Sequence, residues 1–143
     1  MVNSVQTMPI VYMFKEYKNV FEFSMYLDNV PKKYRIAFTQ LRLSSHSLRI
    51  ETGRYGNNRT NQNQRYCLIC GSGDIEDEYH FVCICKPYET IRKKYLKKTY
   101  YVRPSVAKCI DLLQPINTSV LIRLCKFIHE AFVIRSNIVN NIL

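Results

Sequence analysis

The chain has 143 residues, 47% of them hydrophobic and 13% aromatic, and its 21 Lys and Arg against 11 Asp and Glu give a formal charge of +10. That is apolar material for one packed core, which a disordered basic tail lacks, and too little length for a complete polymerase or kinase. The positive surplus selects polyanions as partners, either nucleic acid or an anionic membrane surface.

In chain order, the opening MVNSVQTMPIVYMF has neither a basic n-region nor a small-residue cleavage pattern, which argues against a secretory signal. Residues 17 to 28 (YKNVFEFSMYLD) are dense in Val20, Phe21, Phe23, Met25, Tyr26 and Leu27, predicting a short buried helix. Asp28 and Asn29 offer a cap, and Pro31 suits the first turn of a helix running from about Pro31 to Leu43. Tyr34, Phe38 and Leu41 form its core stripe, while Lys32, Arg35 and Arg42 fall on another face. Leu48 and Ile50 resume an apolar pattern, predicting a short helix stopped by Gly53. Residues 53 to 65 (GRYGNNRTNQNQR) have almost nothing to bury and read as a basic, flexible loop. A charged helix is expected from about Glu89 to Lys98, a break at Pro104, a helix around 105 to 113, and a break at Pro115. The clearest helix is the last, where Val120, Leu124, Phe127, Ala131, Ile134 and Ile138 repeat at three and four residues and Leu121, Ile128 and Phe132 widen the stripe.

The expected fold is mainly α, a small single domain over residues 1–143. Residues 12–66 make an N-terminal helical part with the basic loop 53–65, residues 67–103 a zinc-binding segment and basic helix, and residues 104–143 the C-terminal helices. Lys15, Glu16, Lys86, Arg123, Lys126 and Glu130 interrupt every stretch that approaches the roughly 20 apolar residues of a membrane span. The expected location is therefore cytoplasmic or nuclear, without membrane attachment. A reducing compartment makes the six cysteines core residues or metal ligands rather than disulfides.

The informative stretch is CLICGSGDIEDEYHFVCIC, residues 67 to 85. Cys67 and Cys70 sit where one tight turn aims both sulfurs at a tetrahedral metal, and Gly71 follows where such turns take a positive φ. Asp74 is positioned to cap a new helix whose first turn holds Glu76, Asp77 and Glu78 as a solvated acidic face. His80 and Cys85 lie on that helix and complete a Cys3His set for one structural Zn2+: Cys67, Cys70, His80 and Cys85. Cys83, three positions from His80, competes for the fourth place; a kink before Pro87 would turn Cys85 inward. Cys109 and Cys125 stand alone within helical apolar patterns and read as core. A zinc deaminase needs HxE ahead of its CxxC, and this order is reversed; no phosphate loop, GxSxG or HExxH occurs, so no catalytic residues are assigned. His46 and His129 read as ordinary surface or half-buried histidines.

Downstream, KPYETIRKKYLKKTYYVRP interleaves Arg92, Lys93, Lys94, Lys97, Lys98 and Arg103 with Tyr95, Tyr100 and Tyr101. The cations suit phosphates and the rings suit stacking of unpaired bases, although tyrosines at this spacing also suit a core. Lys32, Arg35 and Arg42 supply a second basic face.

These residues resemble a family, the C-terminal zinc-binding region of non-LTR retrotransposon reverse transcriptase proteins. The likeness is carried by KYRIAFTQLRLSSHSLRIETGRY (residues 33 to 55), CLIC, EDEYH, Cys85 with its nearby Pro and Tyr, and IRKKYL, and it covers most of residues 12 to 137. In this chain Lys86 separates Cys85 from Pro87, Cys83 is an additional thiol, and the Tyr-x-Asp-Asp motif of the polymerase domain is absent. The resemblance implies a tail that grips element RNA or target DNA beside a reverse transcriptase domain, with no polymerase activity of its own. Two other readings remain open at this point: a zinc-dependent module that docks onto another protein through its C-terminal helix, and a decayed element copy with no selected role.

Overall fold

The computed structural model describes residues 29–43, 45–54, 59–114 and 117–142, so the helix expected over residues 17 to 28 lies outside the described residues. Pro31, with φ −52° and ψ 140°, stands as N-cap to α1, Lys32–Arg42. Its carbonyl accepts the Arg35 N–H at 3.1 Å in the first i→i+4 bond of the helix and also the Tyr34 N–H at 3.0 Å, so one orphan donor of the first turn is satisfied by the residue that starts it. Phe38 and Leu41 of the predicted stripe are buried and Tyr34 is half-buried, with Ala37 buried beside them. A single turn, α2, spans Arg49–Thr52 and ends at Gly53. That glycine has φ −70°, so a left-handed cap is not its reason. A Cβ there would lie 2.6 Å from Arg65 Cγ and 2.8 Å from the Arg49 carbonyl oxygen, so the close passage of Arg65 requires glycine.

Arg65 anchors the end of the stretch over residues 53 to 65, expected as a basic, flexible loop. Its guanidinium donates to the Ile50 carbonyl at 2.9 Å and to the Thr60 carbonyl at 3.1 Å, and Arg54 pairs with Glu51 at 3.1 Å. Within this stretch residues 55–58 lie outside the described residues.

Three further helices follow the metal segment: α3 (Glu89–Tyr95), α4 (Val106–Leu113) and α5 (Thr118–Ile142). Ser105 caps α4 by accepting the Lys108 N–H at 3.1 Å, and Asn117 caps α5 by accepting the Ser119 N–H at 2.7 Å. Helix α3 is shorter than expected because Leu96 turns extended, at φ −106° and ψ 148°. The 25-residue α5 is the spine, packed against both α1 and α3. Leu121, Leu124, Cys125, Phe127 and Ile128 are fully buried along it, each large apolar side chain removed from water contributing roughly 1.5–3 kcal/mol. Val120 and Ile134, central in the predicted stripe, lie at its half-buried margin. Cys109 and Cys125 are core residues, as expected.

The mainly α expectation holds: among the described residues the extended backbone pairs only at one isolated antiparallel bridge, Tyr66 with Ile75. No helix among them is long and apolar enough to cross a membrane.

Candidate metal centre and basic surface

The Tyr66–Ile75 bridge closes a small hairpin. The Cys67 N–H donates to the Asp74 carbonyl at 2.8 Å, and the Glu76 N–H to the Arg65 carbonyl at 3.0 Å. At its tip the chain reverses through Gly71 and Gly73, at φ 66° and 80°, where L side chains are strained. The Ile69 N–H points at Cys67 Sγ from 3.4 Å, so the turn both presents the sulfur and stabilises negative charge on it.

The second half of the cluster comes from a helical turn of unusual pitch. Asp77 rather than Asp74 caps it, accepting the His80 N–H at 2.8 Å. His80–Ile84 then forms one turn of π-helix, closed by the Cys85 N–H donating to the His80 carbonyl at 2.8 Å. At 3.6 residues per turn, a fifth residue points well away from the first; the wider i→i+5 turn brings Cys85 back beside His80. One ligand atom from each of Cys67, Cys70, His80 and Cys85 lies within 4.8 Å of all the others. Cys67 Sγ is 3.9 Å from Cys85 Sγ, and Cys70 Sγ is 3.4 Å from His80 Nε2, spacings at which one ion touches all four. Cys83 is buried and stands outside the four-residue cluster, its thiol interacting with that of Cys109 of α4 and raising the Cys109 pKa.

The cluster favours anionic sulfur. The hydrogen bond from Cys85 holds the Cys67 thiol down to about 3, helped by His80 and the N–H groups of Ile69 and Cys70 and opposed by burial. Cys85, as donor to that thiolate, is pushed upward. Burial works against a charged His80, but the sulfurs of Cys67 and Cys70 outweigh it and raise its pKa. Asp74 lies 3.8 Å from His80 Nδ1 and accepts from the Ser72 hydroxyl at 3.0 Å, forming the polar rim.

The acidic run between the two halves is not a solvated face. Glu76 and Glu78 are each 1% exposed. Both Glu76 carboxylate oxygens accept from Arg135 of α5 at 2.8 Å, and one also takes the Arg49 N–H at 2.8 Å. Glu78 sits 2.9 Å from His46 Nε2, and the His46 side chain is buried with it. Burial pushes Asp77 up to about 6. The residues that sequence reasoning missed are thus Arg135 and His46, 59 and 32 positions from their carboxylates.

The basic set divides in a similar way. Lys93, Lys94, Lys97, Lys98 and Arg103 are exposed along and after α3, and Lys32 is exposed on α1. Arg35 and Arg42 are half-buried, Arg42 with its guanidinium 5.8 Å from the Phe38 ring centre and its pKa lowered by burial to about 10. Arg92 is 3% exposed and does not belong to the surface. It donates to the Val82 carbonyl at 2.7 Å and the Phe81 carbonyl at 3.2 Å, where the change of helical pitch leaves acceptors that need donors. Arg123, exposed and outside the predicted set, caps α3 by donating to the Lys94 and Tyr95 carbonyls at 2.9 and 3.1 Å. Tyr95, Tyr100 and Tyr101 pack against the core, and the Tyr95 hydroxyl donates to Glu130 at 2.7 Å.

Fold and site together define a small, mainly helical protein carrying a Cys3His cluster that could hold a metal ion. No family model matches the chain, and neither a curated protein nor a solved structure does.

Proposed function

We propose that the cluster holds one structural Zn2+ and that the domain it clamps binds nucleic acid, RNA or DNA, as a non-enzymatic tail of the retrotransposon reverse transcriptase type. The donor set supports zinc: three sulfurs and one imidazole fill four tetrahedral positions from the protein itself, leaving none for a substrate. Zinc bonds of about 2.3 Å to sulfur and about 2.0 Å to nitrogen place tetrahedral neighbours about 3.5–3.8 Å apart, close to the spacings of the cluster. Bound there, the ion would tie the Cys67–Cys70 turn to the His80–Cys85 turn.

The observation that carries the nucleic-acid reading is the path of the chain beyond the fourth ligand. Lys86–Tyr88 makes one tight turn and α3 begins at once, so the clamp fixes the direction of Lys93 and Lys94 and of the Lys97, Lys98 and Arg103 segment beyond. The net charge of +10 and the resemblance of residues 33 to 55 and 67 to 96 to the retrotransposon tail point the same way. A docking role for α5 has less support, because Leu121, Leu124, Phe127, Ile128 and Ala131 face the protein's own core.

Each phosphate neutralised by a cation contributes about 0.9 to the slope of log affinity against log salt on duplex DNA. Replacing Lys93, Lys94, Lys97 and Lys98 together with Ala should lower that slope by about 2–3.5. A slope unchanged by the quadruple variant excludes this surface as the contact.

A further inference from the structure

We propose that the basic surface along and after α3 grips the phosphate backbone by charge alone, without stacking bases; the inference rests on the nucleic-acid reading above and deepens it. Single-strand binders combine a cationic groove with aromatic faces on which bases stack, and the sequence offers both ingredients between residues 92 and 103. The structure separates them. Tyr95 is half-buried, its hydroxyl engaged by Glu130 at 2.7 Å and its ring partnered by the Lys94 ammonium 5.0 Å from the ring centre. Tyr100 and Tyr101 are half-buried and packed on the core beside α4.

Two of the three arginines near this surface that could read base edges or stack as flat guanidinium groups are spent as well, leaving Arg103. Arg92 is buried on the carbonyls of Phe81 and Val82, and Arg123 is pinned to those of Lys94 and Tyr95. What remains outward is Lys93, Lys94, Lys97 and Lys98, with Arg103 at the end. Lysine ammonium groups are compact, hydrated point charges on flexible stems, suited to phosphates and poor at bidentate base recognition. The metal hairpin carries one outward ring, Tyr66, at 49% exposure, which the experiment must control for.

The test compares the zinc-loaded full chain on two single strands of about 20 nucleotides, one of mixed sequence and one in which every base is replaced by hydrogen on an otherwise identical sugar-phosphate chain. Stacking by even one ring would favour the base-bearing strand by at least about fivefold, and several rings by far more. The expected result is affinities within about threefold for the wild type and for Tyr66→Ala, with parallel salt slopes. A loss of more than about threefold on removing the bases overturns the inference while leaving the nucleic-acid reading intact; restored parity in Tyr66→Ala would then identify the hairpin ring as the stacker. Binding to neither strand overturns this inference, and binding to neither strand nor to a duplex of the same sequence fails the nucleic-acid reading itself.

Discussion

The metal segment and the helix α5 are packed against each other, Phe81 lying 4.5 Å from the Phe132 ring, and both bury apolar side chains, but the metal segment buries several polar ones as well. The buried face of α5 is almost wholly apolar, down to Arg135. Within the metal segment Glu76, Glu78 and His80 are buried, with Arg92 reaching in from α3. Apolar burial is non-directional, and its losses scale with the volume removed. A buried polar group holds its place only through particular partners and becomes strongly unfavourable when one is lost. One region should therefore tolerate conservative change, and the other should fail partner by partner.

The largest expected effect is removal of the metal or a ligand. Zinc contributes about 10–16 kcal/mol in small zinc-dependent folds, comparable with the whole stability of an ordinary domain, about 5–15 kcal/mol. Chelation, Cys67→Ser or His80→Ala should abolish cooperative unfolding of the hairpin and π turn, seen as lost near-ultraviolet dichroism and hydrogen-exchange protection over residues 66–85. Next comes Arg135→Met, which leaves Glu76 buried and unpaired and should cost about 3–5 kcal/mol in urea unfolding. Adding Glu76→Leu to it should recover much of that loss.

Arg92→Met should cost about 1.5–3 kcal/mol through the two carbonyls it deserts, and should leave the salt slope of nucleic-acid binding unchanged. Against these, Ile128→Val on the apolar side should cost only about 0.5–1.5 kcal/mol. Comparable in size is Cys83→Ala, about 1 kcal/mol from the lost contact with Cys109, with metal stoichiometry unaltered. Loss of the metal in that variant would move the fourth ligand from Cys85 to Cys83.

The same division explains what was legible in the residues. Helix starts are local events, so Pro31 and the positions around Pro104 and Pro115 marked them closely, and the CxxC with its trailing His exposed the cluster. Five positions between His80 and Cys85 is an awkward interval for an α-helix, and only the π turn turns it into a ligand pair. Glu76, Glu78 and Arg92 looked like surface charges because nothing nearby in the chain identifies partners such as Arg135 or His46 that burial requires. Tyr95, Tyr100 and Tyr101 carried two meanings by composition, and the packing selected the core. Lys93 and Lys97 are exposed, the default that elementary solvation predicts for lysine, and Lys93 pairs with its helix neighbour Glu89 at 3.3 Å.

The most direct test of the central claim is the metal content of the purified chain by native mass spectrometry, with Cys67→Ser, His80→Ala and Cys85→Ser measured beside the wild type. The account predicts one zinc per wild-type chain and none, with reduced helicity, in each of the three variants. A folded wild-type chain without metal, or variants that fold and bind nucleic acid as the wild type does, would contradict it and leave the four residues as a buried polar cluster.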